Sequence, residues 1–250
     1  VTDGNSKTTT YTYDAFGSQL TVTDPATPTH NVITNTFDLR GRKLTSADPD
    51  MGSWLYVYDG FGELYKQTDA KSQVTTLTYD ALGRVLTRTE TGLTSTWTYD
   101  TGSGKGIGKL ATATTGSNYT RTLSYDALGR PLTTQLTVDG TASTYTSGYD
   151  SNGRLSSVTY PSGLVLLYVY TSTGYLCRMA DNTGSPTCSA GGGSQIFWTA
   201  NTRDAEMHLT EAIAGNGVIT DQAFDPNTGL IQSITAGPIG SPTSVADFVY

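Results

Sequence analysis

The sequence predicts an all-β fold in which stacked β-hairpin repeats form one continuous, twisted and curved sheet over residues 1–250. Three observations carry this expectation: the composition, a recurring Tyr-Asp turn motif, and period-two alternation between the turns. Gly (28) and Tyr (16) are plentiful, Thr is abundant and charged residues are only 15%. Strands and tight turns use that mixture and long helices do not. The net charge of −7 and a pI of about 4.7 argue against a nucleic-acid partner, which needs a basic stripe to displace counterions from phosphates. No stretch approaches the roughly 20 apolar residues of a membrane span. Val1 does not begin a signal peptide, and the pattern stops mid-motif at Tyr250, so the chain reads as a fragment of a longer protein.

The repeat is plain along the chain. Tyr79-Asp80-Ala81-Leu82-Gly83-Arg84 recurs unchanged as Tyr125-Asp126-Ala127-Leu128-Gly129-Arg130. The same frame holds for Tyr13-Asp14 with Gly17, Phe37-Asp38 with Gly41 and Arg42, Tyr58-Asp59 with Gly62, and Tyr149-Asp150 with Gly153 and Arg154. Weaker copies start at Tyr99-Asp100, at Tyr170, and at Phe224-Asp225 with Gly229 one place late. Trp198 is read as the anchor of a further degenerate copy and Tyr250 as the next. Successive aromatics are 20 to 28 residues apart, one hairpin per step with insertions.

Local chemistry explains each copy. In Val74 to Tyr79, Leu77 and Tyr79 alternate with Thr76 and Thr78, as in a strand with one buried face. Asp80 then accepts backbone N–H groups as an Asx turn, and Gly83 supplies a positive φ that a side chain disfavours. Arg84 to Thr89 alternates again, with Leu86 able to return to the face of Tyr79. A lone hairpin buries too little to offset its ordering, so neighbouring copies must stack edge to edge. Tyr13, Phe37, Tyr58, Tyr79, Tyr99, Tyr125 and Tyr149 are then expected as a ladder along one edge, each aromatic partnered by the next. Ala205 to Ile213 is the one segment allowed a helical turn.

These residues resemble the Tyr-Asp repeats of the Rhs family, which also includes shell subunits of bacterial tripartite toxin complexes and the animal teneurins. Tyr160-Pro161-Ser162-Gly163, Gly215-Asn216-Gly217-Val218 and Phe224-Asp225-Pro226-Asn227-Thr228-Gly229 fit the same family. The resemblance implies a long β-strip that spirals into a hollow shell, of which this chain is an arc, closed around a toxic C-terminal polypeptide. The expected role is a structural wall segment, secreted or at the cell surface, whose partner is a toxin or other cargo from the same longer chain.

Chemical sites are sparse. His30 and His208 are the only histidines, and each is expected exposed and without an activated Ser or Cys beside it. No Gly-x-Ser-x-Gly elbow occurs. Gly102-Ser103-Gly104-Lys105-Gly106-Ile107-Gly108 lacks the ending of a phosphate loop and reads as an insertion. Asp48-Pro49-Asp50-Met51-Gly52 offers too few carboxylates for calcium, and the motif aspartates are expected to cap their own turns. The reading is therefore not an enzyme, with no catalytic residue, cofactor or metal. The alternative is an extracellular adhesion or filament-forming module that meets other copies or binds glycan through Trp54, Trp97 and Trp198, provided those rings line an open groove. Cys177 and Cys188 flank the turn signal Asn182-Thr183-Gly184-Ser185-Pro186 and are expected to form a disulfide in an oxidising compartment.

Overall fold

The computed structural model of the chain describes residues 1–25, 30–238, 240–241 and 243–249. It is all-β, with 21 strands and no helix among the described residues. The chain splits into two compact units, Val1–Thr122 with Thr137–Thr141, and Leu123–Leu136 with Ala142–Tyr250.

The first unit opens with β1 (Thr10–Tyr13), β2 (Gln19–Thr23), β3 (Val32–Phe37), β4 (Lys43–Asp48) and β5 (Gly52–Tyr58). It continues with β6 (Leu64–Thr68), β7 (Val74–Tyr79), β8 (Val85–Glu90), β9 (Leu93–Tyr99), β10 (Leu110–Thr115) and the start of β11 (Tyr119–Tyr125). Each strand pairs antiparallel with its successor, as short turns between neighbours require. The second unit takes the end of β11, most of β12 (Pro131–Val138), β13 (Thr141–Tyr149), β14 (Leu155–Thr159), β15 (Val165–Tyr170) and β16 (Leu176–Asp181). It ends with β17 (Ile196–Arg203), β18 (Leu209–Ala214), β19 (Val218–Phe224), β20 (Ile231–Pro238) and β21 (Ala246–Val249). From β13 to β21 the pairing is again antiparallel between successors.

Alternation gives each strand two chemically distinct faces. Thr78 lies opposite Thr87, Thr87 opposite Thr96 and Thr96 opposite Thr114, so one face of β7–β10 is a bed of threonines. Cross-strand hydroxyl pairs tie this face, at 2.7 Å for Thr12–Thr21, 2.6 Å for Thr36–Thr45 and 2.6 Å for Thr78–Thr87. Leu77, Arg88, Trp97 and Ala113 occupy the other face. The most buried apolar residues are mostly small, Ala111, Cys177, Ala180 and Ala212 with Leu123 and Tyr125, and no large side chain is fully buried among the described residues. These strands therefore lack the central core of an ordinary globular domain.

A register skip marks the strand after eight of the motif turns. Thr78 faces Thr87 but Tyr79 faces Val85, leaving Leu86 as the extra residue of a β-bulge. The same skip occurs at Tyr13, Phe37, Tyr58 and Tyr99 in the first unit, and at Tyr149, Tyr170 and Phe224 in the second. Bulges sharpen local twist, so these repeats twist the sheet at the same place in each hairpin.

Two expectations are corrected. Ala205–Ile213 holds no helical turn: it is a tight turn followed by β18, whose residues pair with both β17 and β19. Trp198 does not anchor a repeat, because it lies inside β17 opposite Ala214 while the turn comes later, at Asp204. Tyr250 lies outside the described residues.

Candidate functional site

Among the described residues the repeated turn concentrates the most side-chain chemistry. At Asp80 the backbone closes by Asp80 N–H donating to the Arg84 carbonyl (2.9 Å) and Gly83 N–H to the Asp80 carbonyl (3.0 Å). The carboxylate fills the turn: Oδ1 accepts the N–H groups of Leu82 (2.9 Å) and Arg84 (3.0 Å), and Oδ2 accepts Arg84 Nε at 2.6 Å. Gly83 sits at φ 76°, which explains its residue type. Asp14, Asp38, Asp59, Asp126 and Asp150 accept the corresponding N–H groups, with Gly17, Gly41, Gly62, Gly129 and Gly153 all at positive φ.

The arginine that ends the motif reaches out of its own turn. Arg42 lies 4.7 Å from the ring centroid of Tyr58, and Arg84 4.4 Å from that of Tyr99, each in the next hairpin. In the second unit Arg130 covers Tyr149 at 4.0 Å and Arg154 covers Tyr170 at 4.3 Å. The tyrosine answers by donating its hydroxyl to the carbonyl just beyond the preceding turn. Tyr58 donates to Lys43 (2.9 Å), Tyr79 to Leu64 (2.7 Å), Tyr149 to Pro131 (2.8 Å) and Tyr170 to Leu155 (2.8 Å). Tyr58, Tyr149 and Tyr170 are thus clasped to the preceding repeat by both a cation–π contact and a hydrogen bond, Tyr99 by the cation–π contact and Tyr79, which faces Glu63, by the hydrogen bond. This corrects the expectation that motif aromatics partner each other. Consecutive tyrosines stand two strands apart, about 10 Å, too far for ring contact, and the intervening strand's arginine fills the gap.

Two variants show the same logic with changed residues. Tyr175 stands where the arginine belongs and Arg203 where the aromatic belongs, so the pair is exchanged across the gap at 5.1 Å. Arg203 Nη2 donates to the Leu176 carbonyl (3.2 Å), as a tyrosine hydroxyl does elsewhere. In the following turn Met207 takes the glycine place at φ 71°, and His208 takes the arginine place. His208 Nδ1 is 2.8 Å from Asp204 Oδ2, and its ring stacks on Phe224 at 4.5 Å. His208 is therefore a half-buried clasp residue, contrary to its expected exposure, whereas His30 is exposed beside Asp24.

The electrostatics follow from this saturation. Asp38 is held below the usual carboxylate range chiefly by the Arg42 N–H. For Asp80 and Asp126 burial pushes upward, but the N–H and guanidinium of Arg84 and Arg130 outweigh it. Such carboxylates stay ionised at neutral pH and have their lone pairs occupied, which suits fastening and not proton transfer. Burial also raises the Tyr58 and Tyr79 phenols, keeping them neutral donors.

The remaining candidates resolve individually. Asp204, Glu206 and His208 bring three potential metal-ligand atoms within 4.8 Å, yet Asp204 is engaged by its own turn and by His208. Asp48 Oδ1 accepts the N–H groups of Asp50 and Met51, making that acidic stretch a turn. The glycine insertion is a loop between β9 and β10 closed on Asp100, which accepts Gly108 N–H at 2.6 Å and is bridged by Arg84. Cys177, in β16, is bonded to Cys188 in the β16–β17 connection, where Arg178 Nη1 also holds the Thr187 carbonyl (2.8 Å). Trp97 and Trp198 lie within paired strands opposite Ala113 and Ala214. Trp54 instead lines an open groove of about 460 Å³ with Gln67, Asp69, Gln73 and Arg88.

The Teneurin YD-shell family pattern matches residues 4–189. The chain belongs to the Teneurin YD-shell family. Similar solved structures are the Photorhabdus luminescens Tc holotoxin pore (TM-score 0.63, 18% identity) and a TcdB2-TccC3-Cdc42 crystal structure (TM-score 0.62, 18% identity). Each alignment covers 98% of this chain but only 14% and 15% of the other, so the YD-shell chain spans a small part of their length. A TcdB2-TccC3 crystal structure aligns similarly, at TM-score 0.61 and 17% identity, over 98% of this chain and 15% of that one. At these identities the likeness shows the fold. No curated protein matches the chain.

The arginine's role was missed in the sequence although the residue recurs in four of the quoted copies. The signal was Gly-Arg in four of the six strong copies, together with the exchanged Tyr175 and Arg203.

Proposed function

We propose that this chain is a wall segment of a YD shell, whose work is containment of a polypeptide cargo such as a toxin carried further along the same longer protein, and that it acts outside the cytoplasm without enzymatic turnover. The observation that carries the reading is the clasp. Hairpins without a central core, four of them fastened to the next by an arginine on a tyrosine, can be added by repetition without changing their local chemistry. That is a requirement of a wall. The saturated carboxylates of the motif favour structure over catalysis, and the Cys177–Cys188 bond suits an oxidising compartment. The Tc structures supply the analogy.

The test is protease protection in the full-length protein. A contained cargo resists digestion while the wall is intact and becomes sensitive when Arg42, Arg84, Arg130 and Arg154 are replaced by Ala. Cargo digested equally in both would overturn containment. One observation favours a second reading, an adhesion module that takes glycan, because Trp54 lines an open groove beside Gln67, Gln73 and Arg88. Trp97 and Trp198 give it no such support. Binding to a glycan array that Trp54→Ala abolishes would establish it.

A further inference from the structure

One repeat reverses the charge of the clasp. Glu63 stands at the arginine place of its turn, four residues after Asp59, and donates its N–H to Asp59 Oδ1 at 2.9 Å as the arginines do in theirs. Its carboxylate also reaches the arginine's position in space. Oε1 lies 3.0 Å from the point where a Cβ on Gly83 of the next turn would stand, and Arg42, Arg130 and Arg154 bring Nη1 to 3.3, 3.4 and 3.5 Å from the same point at Gly62, Gly153 and Gly174. The ring that Glu63 faces is placed like its counterparts, because Tyr79 donates to the Leu64 carbonyl as Tyr58, Tyr149 and Tyr170 donate to theirs.

The result is a concentration of negative charge beside an aromatic ring. Arg42, Arg84, Arg130 and Arg154 each set Nε on the Oδ2 of their own aspartate, whereas Glu63 sets a second carboxyl against Asp59. Burial first, and then Asp59 and Asp80, raise the Glu63 carboxyl above its ordinary range, as expected of carboxylates set side by side. Asp80 Oδ2 is held by Arg84, but among the described residues neither Asp59 nor Glu63 has an ion-pair partner. A recess of about 660 Å³ opens here, lined by Asp59, Glu63, Tyr79 and Asp80 with Phe61 and Tyr65. The corresponding recess beside Arg42 is about 370 Å³. A metal ion is the poorer occupant, since the tight group of three potential ligands among the described residues is Asp204, Glu206 and His208.

We propose that this recess binds an external guanidinium group, held by the Asp59 and Glu63 carboxylates and laid on the Tyr79 ring as Arg42 is laid on Tyr58. The chain's own clasps select the ligand. Four times a guanidinium stands between a motif carboxylate and the ring of the next hairpin, and the recess keeps both of those recognition elements while replacing the internal cation by a carboxylate. A planar guanidinium forks onto paired carboxylate oxygens and stacks on an aromatic face, which a compact ammonium does less well. A free guanidino compound and an arginine side chain of a polypeptide present the same group. The inference does not depend on the containment reading.

Titration of the 250-residue chain with ethylguanidinium, followed by the amide chemical shifts of Glu63 and Gly83, tests it. The expected result is a saturable shift with a dissociation constant on the order of 1 to 10 mM. Glu63→Gln keeps the shape of the side chain and should weaken binding on the order of 10-fold. Glu63→Arg supplies the cation from within, so it should abolish uptake and raise the urea midpoint, which separates a filled recess from a misfolded one. A blocked glycine-arginine-glycine peptide distinguishes the sources: binding at least as tight as ethylguanidinium assigns a polypeptide arginine, and weaker binding assigns a free compound. No saturation up to about 50 mM, uptake unchanged in Glu63→Gln, or equal shifts with sodium chloride would each overturn the proposal.

Discussion

The Arg154–Tyr170 clasp can be weighed by a double-mutant cycle. Arg154 is 4.3 Å from the Tyr170 centroid, its Nε donates to Asp150 Oδ2 (2.7 Å), and the Tyr170 hydroxyl donates to the Leu155 carbonyl (2.8 Å). Arg154→Met keeps most of the stem and removes the cation and its pairing with Asp150. Tyr170→Leu removes the ring and the hydroxyl bond, the latter worth ~0.5 to 1.5 kcal/mol. Each loss outside the contact appears in one single variant and in the double variant, so it cancels in the cycle. What remains is the cation–π contact. With the arginine side chain 29% exposed, the contact lies between the exposed and the desolvated cases, so the coupling should be about 1 kcal/mol. Urea unfolding of the four proteins measures it, and amide exchange localises it: protection should fall in β14–β16 and persist in β19 and β20, because repeats stabilise their neighbours. Additivity within ~0.3 kcal/mol would refute the claim that arginine and ring hold consecutive hairpins together.

Four other expectations follow from the turns, their tyrosines and the disulfide. Gly83→Val should destabilise by about 1 to 3 kcal/mol in urea unfolding, because φ is 76° there and a Cβ would also meet Glu63 Oε1 at 3.0 Å; an unchanged midpoint would count against the turn assignment. Asp14, Asp38, Asp59, Asp80, Asp126 and Asp150 bind protons more weakly folded than unfolded, so stability is fully present above the ordinary carboxyl pKa and is lost as pH falls below about 4. Melting temperatures that stay level down to pH 2 would contradict this. The raised phenols of Tyr58 and Tyr79 act in the opposite direction, with stability declining as pH rises beyond about 10. Intact mass after alkylation without reductant should show no modified cysteine, and reduction should cost up to ~3 kcal/mol locally across the 11-residue separation. Two alkylated cysteines would refute the bridge.

Features made by neighbours in the chain were legible in the sequence. Asp80 and Gly83 act on residues within four positions of themselves, so the turn can be read from the motif alone, and alternation in Val74–Tyr79 shows that a strand enters it. The tandem spacing then leaves hairpins stacked in order as the simplest arrangement. What lay beyond the sequence depends on which strand stands between two others. Arg84 meets Tyr99 and Asp100 fifteen or so residues on only because the sheet sets β8 beside β9, and the bulge that leaves Leu86 unpaired alters the register there. Met207 hid a glycine-like turn because side-chain type was being read where backbone conformation decides. His208 and the exchanged Tyr175 and Arg203 hid clasps because the contact needs a cation or a planar ring on one side and an aromatic on the other, not a particular order. Local hydrogen bonding was thus written in the sequence, whereas the fastening between repeats was decided by the roughly 10 Å spacing of alternate strands, a distance that exists only once the sheet has formed.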